Sequence, residues 1–234
     1  MKIVKPKVTL ISFSGVKDAM IAASNCVSSD DVEKIEKKVK EQHNAGNLNL
    51  LKSVVIDNGH QSIAEFIKFT FGIEGIHLAN SHQWVRHRLV SNAQKSQRYI
   101  THKELLVSLS ENYTQDIKGK VATVFNENWK LYNELIEGGM KAEDARLVLP
   151  QAVSTSIVCT MNARELIHII NERCCTCAQN QIRQVTNEML RQAKNVLPEI
   201  FGYVGPKCYE LGRCPEKRNS KGCQIYKNSP YCKS

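Results

Sequence analysis

The chain has no apolar run long enough to cross a bilayer as a helix. Its opening residues, MKIVKPKVTLISFSG, begin with positive charge. They lack an apolar block of signal-peptide length with a small-residue cleavage site, and read as a first strand. Membrane insertion and secretion are therefore not expected, and the cytoplasm is. There is no internal repeat and no low-complexity block, so a repeat array is not expected. Acidic residues are in deficit: 23 Asp and Glu face 32 Lys and Arg, for a net charge of +9. That balance implies anionic partners, which are nucleic acid, a membrane surface or phosphorylated small molecules. No nucleic-acid-binding signature accompanies it. The nine cysteines form an odd count without a signal segment, which argues against a secreted disulfide framework and for reduced thiols.

What is present fits an ordinary globular chain. It has 234 residues, 42% hydrophobic and 24% charged, enough for one large core with or without a small appendage. Residues 7–12 alternate weakly and read as a strand, followed by a short helix over 17–26. Ser28, Ser29, Asp30 and Asp31 form a capping cluster, with Glu33 three residues after Asp30, ahead of a polar helix to about His43. A further short helix ends at Gly59. In 66–74, Ile67, Phe69, Phe71 and Ile73 alternate with Lys68, Thr70, Gly72 and Glu74, the period of a half-buried strand. Helical character follows over 76–86 and, at length, over 112–138, where Gly138-Gly139 stops it. Residues 143–149 read as a short turn or helix halted by Pro150. A β-branched strand over 154–161 leads to Asn162, which can cap a helix to about Arg173. Another helix runs over 178–200. This alternation predicts an α/β (α+β) domain over 1–205 and a Cys- and Lys-rich appendage over 206–234.

Residues 86–99, RHRLVSNAQKSQRY, are the most informative stretch. Arg86, His87, Arg88 and Arg98 gather guanidinium and imidazole groups, with Ser91, Gln94, Ser96 and Tyr99 between them as neutral donors and acceptors. Arg binds phosphate or carboxylate through two parallel hydrogen bonds. A solvated basic face is the plain alternative. Against it, the cations are mostly Arg, and the apolar pair Trp84-Val85 precedes them as an anchor. Ser96 near His87 invites a nucleophile reading, but no acidic orienter stands in the motif, so ligand binding is preferred.

The spacing R-H-R-x-x-S-x-x-x-x-S-x-R-Y, filled by Arg86, His87, Arg88, Ser91, Ser96, Arg98 and Tyr99, resembles that of flavin-dependent thymidylate synthases. The likeness extends over His60, Ser62 and Glu65, then Phe69–Phe71, Gln83 to Arg86, Glu143 to Arg146, Asn162 to Arg164, His168, Arg173 and Arg183, covering roughly residues 7–215. The resemblance implies a mixed sheet flanked by a long helical bundle, the thymidylate synthase-complementing fold, assembled as a homotetramer with sites between subunits. It implies conversion of dUMP to dTMP, with methylenetetrahydrofolate as one-carbon donor and FAD, reduced by NADPH, as hydride source. Carried over by position, Ser62, Arg86, His87, Arg88, Gln94, Asn162, Arg164 and His168 would contact FAD. Gln83, Arg86, Gln94, Lys95, Ser96, Gln97, Arg98, Arg146 and Arg173 would hold dUMP. Arg173 would be the activating arginine at the N3 edge of uracil. A guanidinium there stabilises an anionic ring form through preorganised charge, and it does not lose its proton in doing so. Arg164 and His168 share a helix face, whereas Arg173 lies about 140° further round.

Some positions depart from the family pattern. Gln94 stands where Glu is frequent, Ala93 where Asn is, Phe66 where His is, and Ser24 where Arg is. Gln94 and Ala93 motivate one alternative, the same fold modifying another pyrimidine nucleotide. A basic nucleic-acid-binding module is the alternative from a different class. Cys174, Cys175 and Cys177 follow Arg173 directly, and Cys208, Cys214, Cys223 and Cys232 are spaced more widely than the paired cysteines of zinc sites, so free or packing thiols and no metal are expected, with a structural metal as the alternative.

Overall fold

A computed structural model describes residues 1–216 and Cys223. In chain order the strands are β1 (Lys2–Ile3), β2 (Lys7–Ser14), β3 (Lys68–His77), β4 (Ser91–Gln94), β5 (Leu106–Val107) and β6 (Ser154–Asn162). The helices are α1 (Val16–Asn25), α2 (Val32–Asn44), α3 (Asn49–Leu51), α4 (Leu78–Trp84), α5 (Gln115–Glu137), α6 (Ala142–Ala145), α7 (Ala163–Arg173), α8 (Asn180–Val196), α9 (Pro198–Phe201) and α10 (Lys207–Leu211). Strands pair in the order β2-β3-β6-β4, and β1 pairs with β5 in parallel. The chain is α/β, as its sequence alternation predicts.

Two compact units emerge. The first comprises 1–8, 72–88 and 92–158, and the second 9–71, 89–91 and 159–234.

In the first unit, Leu105, Val107 and Val153 form a buried cluster, against which Phe125 and Trp129 of α5 pack. Thr114 caps α5 by accepting from the Ile117 amide at 3.3 Å, and Gly139, at φ +87°, follows its end. Of the apolar residues along α5, Tyr132 is fully buried, while Ile117, Val124 and Leu131 remain exposed. Gly75 has a φ of +73°, and an added Cβ would meet the Lys5 carbonyl oxygen, so glycine is required there.

In the second unit, Ile67, Phe69 and Phe71 are completely buried, as their alternation predicts. Phe69 lies 4.9 Å from Phe13, 5.9 Å from Phe71 and 5.2 Å from Phe201, ring centre to ring centre. α7 packs on α8 and on a 3-10 turn, Gln61–Phe66, which also touches α1. Asn162 caps α7 by accepting from the Glu165 amide at 2.8 Å. Three local expectations shift. Asp31, not Asp30, caps α2 by accepting from the Lys34 amide, and Asp30 pairs with Lys38 instead. The helix ending near Gly59 is α3 followed by a π-helical turn over Lys52–Asp57. The predicted 178–200 helix breaks at Leu197 into α8 and α9, because Pro198 cannot donate an amide to continue the ladder.

Candidate active site

α4 and β4 shape the site in the first unit. His77, the last residue of β3, caps α4: its Nδ1 accepts from the Asn80 amide at 2.9 Å. Burial lowers the pKa of this ring, which keeps the accepting nitrogen unprotonated. Trp84 is buried at the other end of α4, and its Nε1 donates to Asn92 Oδ1 at 3.0 Å. His87 is also buried, edge-on to Trp84 at 5.9 Å, while Arg86 and Arg88 on either side are exposed. Of the apolar pair Trp84-Val85 read as an anchor, Trp84 is buried and packs on the imidazole, whereas Val85 is exposed.

β4 was not expected from sequence, since Ser-Asn-Ala-Gln carries no apolar alternation. Side chains and backbone fix it instead. Gln94 Nε2 donates to Ser81 Oγ at 3.0 Å and lies 3.4 Å from Thr155 Oγ1. The Lys95 amide donates to the Ser156 carbonyl at 2.9 Å. The chain then turns, and the Arg98 amide donates to Ser96 Oγ at 3.2 Å.

This turn borders a cavity of about 400 Å³, lined by Gln94, Lys95, Ser96, Gln97, Arg98 and Arg146, with Leu78, His82 and Gln151 completing the wall. The lining holds no Asp or Glu. Arg98 is braced from outside it: its Nε and Nη2 each lie 3.0 Å from Glu143 Oε2. Arg146 Nε donates to the Glu143 carbonyl at 3.0 Å, so one residue sets both guanidinium groups. Gln97 Nε2 is 3.3 Å from His102 Nε2, and the His102 amide lies 3.1 Å from the Tyr132 hydroxyl. Burial, and then the Lys95 charge, lower the His102 pKa. The result is a concave, cation-lined pocket of small-molecule size, suited to a phosphorylated ligand.

A second group lies in the other unit. Arg164, exposed on the first turn of α7, forms an ion pair with Glu65 of the 3-10 turn at 2.5 Å. His168 is exposed one turn later. Glu165 between them is buried, its carboxyl pKa raised by burial and partly restored by His168. Arg173 is half-buried at the end of α7, and Ser62 is exposed on the 3-10 turn. Asn162 already spends its side-chain oxygen on the α7 cap.

Sequence-selected residues therefore distribute unevenly. Gln94, Lys95, Ser96, Gln97, Arg98 and Arg146 converge on one cavity. Gln83, Arg86, His87 and Arg88 belong to the same unit but do not line that cavity. Ser62, Asn162, Arg164, His168 and Arg173 belong to the second unit. Sequence reasoning missed His82 and Gln151 in the lining and Glu143 as the Arg98 partner. Adjacency to Gln83 was the available signal for His82. Among the described residues no helix is long and apolar enough to cross a membrane.

A family profile described as thymidylate synthase complementing protein matches residues 9–199. The chain belongs to that family. The flavin-dependent thymidylate synthase of Geobacter sulfurreducens is 40% identical over 216 residues, covering 90% of this chain and 91% of the relative. That of Clostridium tetani is 35% identical over 243 residues, covering 92% and 93%. Among solved structures, the UMP/dUMP methylase PolB of Streptomyces cacaoi, bound to 5-Br dUMP, superposes with a TM-score of 0.71. It covers 86% of this chain and 96% of that one at 19% identity, a likeness of fold. The resemblance first carried by the Arg86–Tyr99 motif thus holds over most of the chain.

Proposed function

We propose that the cavity bordered by Gln94–Arg98 and Arg146 seats dUMP, and that the chain turns it into dTMP. Flavin-dependent thymidylate synthesis is the activity of the family to which the chain belongs. The observation that carries the assignment of the site is the lining itself. Lys95, Arg98 and Arg146 surround a volume of about 400 Å³ that no carboxylate enters. In this reading Arg98 and Arg146 take the phosphate, with the hydroxyl of Ser96 completing its shell. Gln94 and Gln97 offer amides to the base or sugar, and Gln83 and Arg86 extend the contact surface. The family resemblance, with its sites between subunits, assigns Arg173 to the N3 edge of uracil, where a fixed guanidinium stabilises negative charge on the ring as it develops.

The donor set also fits an anionic dinucleotide. Arg86 and Arg88 flank the buried His87 in one unit, and in the other Arg164, paired with Glu65, shares an exposed helix face with His168. Ser62, Gln94 and Asn162 add neutral contacts. By the family resemblance each group belongs to an FAD site completed between subunits of the proposed tetramer; FAD supplies the hydride once reduced by NADPH while methylenetetrahydrofolate supplies the carbon. The protein's part is to bind, orient and polarise. A homotetramer is proposed from the family resemblance, and the exposed Ile117, Val124 and Leu131 of α5 supply apolar surface for it. A cytoplasmic setting is proposed from the family resemblance.

The test is anaerobic single turnover. FAD-loaded protein, reduced with NADPH, is mixed with methylenetetrahydrofolate and, in separate reactions, dUMP, dCMP and UMP. The expected product is dTMP from dUMP alone. Arg173→Ala should abolish it while flavin stays bound. Product from UMP or dCMP but none from dUMP would replace this reading with the other-nucleotide one.

A further inference from the structure

We propose that Cys208, Cys214 and Cys223, with one thiol from the Cys175-Thr176-Cys177 turn, form a structural zinc site. In the sequence the wide gaps between these cysteines weigh against a metal. The fold closes the gaps. Cys208 is buried in the first turn of α10, and Gly212, in the left-handed region at φ +60°, ends that helix before Cys214. Cys223 is buried, with its Sγ 3.5 Å from Thr176 Oγ1. Cys175, Cys177, Cys208, Cys214 and Cys223 thereby line a single cavity of about 30 Å³. That is a small space, of a size to take a single ion or water. An ion held by four sulfurs at about 2.3 Å suits such a space.

The surrounding chemistry agrees. The segment after residue 206 has little apolar periodicity, yet it buries two thiols and is held to α7 by polar contacts. Lys207 Nζ lies 3.3 Å from Glu172, and Asn171 Nδ2 donates to Glu210 at 2.9 Å. A segment so poor in apolar cover gains most from a metal staple. Arg183, whose Nη1 donates to the Thr176 carbonyl at 3.1 Å, lies beside the turn that bears Cys175 and Cys177, while Lys207 in the cavity wall is paired with Glu172 and Glu216 also lines it. No disulfide joins any of the eight described cysteines. Among the described residues no three His, Cys, Asp or Glu side chains already stand as a ligand group, so closure requires the thiols to rotate inward. As each sulfur–zinc bond forms, one thiol proton passes to solvent. The turn at Cys175–Cys177 directly follows Arg173, so the ion would fix the exit of the helix that carries this arginine.

The full chain, expressed with added zinc and purified without chelator, is analysed by elemental mass spectrometry. The expected content is about one zinc per chain. Cobalt added to the chelator-stripped protein should give thiolate-to-cobalt charge-transfer absorption. Cys208→Ser, Cys214→Ser and Cys223→Ser should each lose the metal, one of Cys175→Ser and Cys177→Ser should do so, and Cys26→Ser should retain it. The cobalt titration of the unsubstituted protein keeps the test decisive if a serine variant fails to fold. Zinc-free protein with no cobalt band would overturn the proposal, and so would intact-mass evidence that these thiols are paired as disulfides.

Discussion

Arg98 presents both Nε and Nη2 to the same oxygen of Glu143, each at 3.0 Å, across forty-five positions of sequence. The side chains keep 55% and 35% of their exposure, so the pair contributes at most about 1 kcal/mol to stability. Its effect is on aim. Glu143 also receives Arg146 through its carbonyl, which places two guanidinium groups at one edge of the cavity.

Substitution of Arg98 by Ala should therefore weaken nucleotide binding more than folding. A charge-assisted contact to phosphate is worth about 1.5–3 kcal/mol, a loss of roughly ten- to a hundredfold in dUMP affinity. Equilibrium dialysis with dUMP reads it. The melting temperature should move little, and Glu143→Gln should cost less affinity than Arg98→Ala.

Folding of the second unit should depend on Phe69. It is fully buried among Phe13, Phe71 and Phe201. Phe69→Ala should destabilise by about 3–5 kcal/mol through lost contacts and the cavity left behind. Urea unfolding monitored by circular dichroism measures the shift in midpoint.

His102 gives a pH dependence of defined sign. Its folded pKa is lowered below 6.5, first by burial and then by Lys95. The unfolded chain therefore binds the proton more readily. Stability is complete above the unfolded pKa and falls as the pH drops through 6.5 toward the folded value. Ligand-free protein should lose more melting temperature between about pH 7.5 and about pH 5.5 than His102→Gln does. Equal losses would remove His102 as a source of acid sensitivity.

Cys174 should be chemically silent. Burial pushes its thiol up to about 12, whereas Cys26 is exposed. At about pH 8.5 iodoacetamide should alkylate Cys26 readily and leave Cys174 unmodified until the chain unfolds. Peptide mass spectrometry distinguishes the two.

Much of the framework was legible because it rests on local rules. The alternation at Ile67, Phe69, Phe71 and Ile73 set a strand, and Asn162 set a helix start, since each depends on neighbours a few positions away. The Arg86–Tyr99 spacing likewise pointed to a cavity whose lining includes Gln94 to Arg98. What stayed hidden depends on distant chain. Nothing near Arg98 names Glu143 as its brace, and β4 is held by Ser81, Thr155 and Ser156 rather than by its own composition. Capping by Asp31 rather than Asp30 was ambiguous because both carboxylates lie within reach of the first turn. The thiols around the small cavity come from separate segments, so spacing gave no hint of their meeting.

The central claim is that fixed cations around Gln94–Arg98 and Arg146 seat the phosphate of dUMP. A crystal structure of the FAD-loaded protein with dUMP tests it most directly. The account predicts the phosphate within hydrogen-bonding distance of Arg98, Arg146 and Ser96, with uracil directed toward the flavin. Nucleotide bound elsewhere, with that cavity holding only solvent, would contradict it.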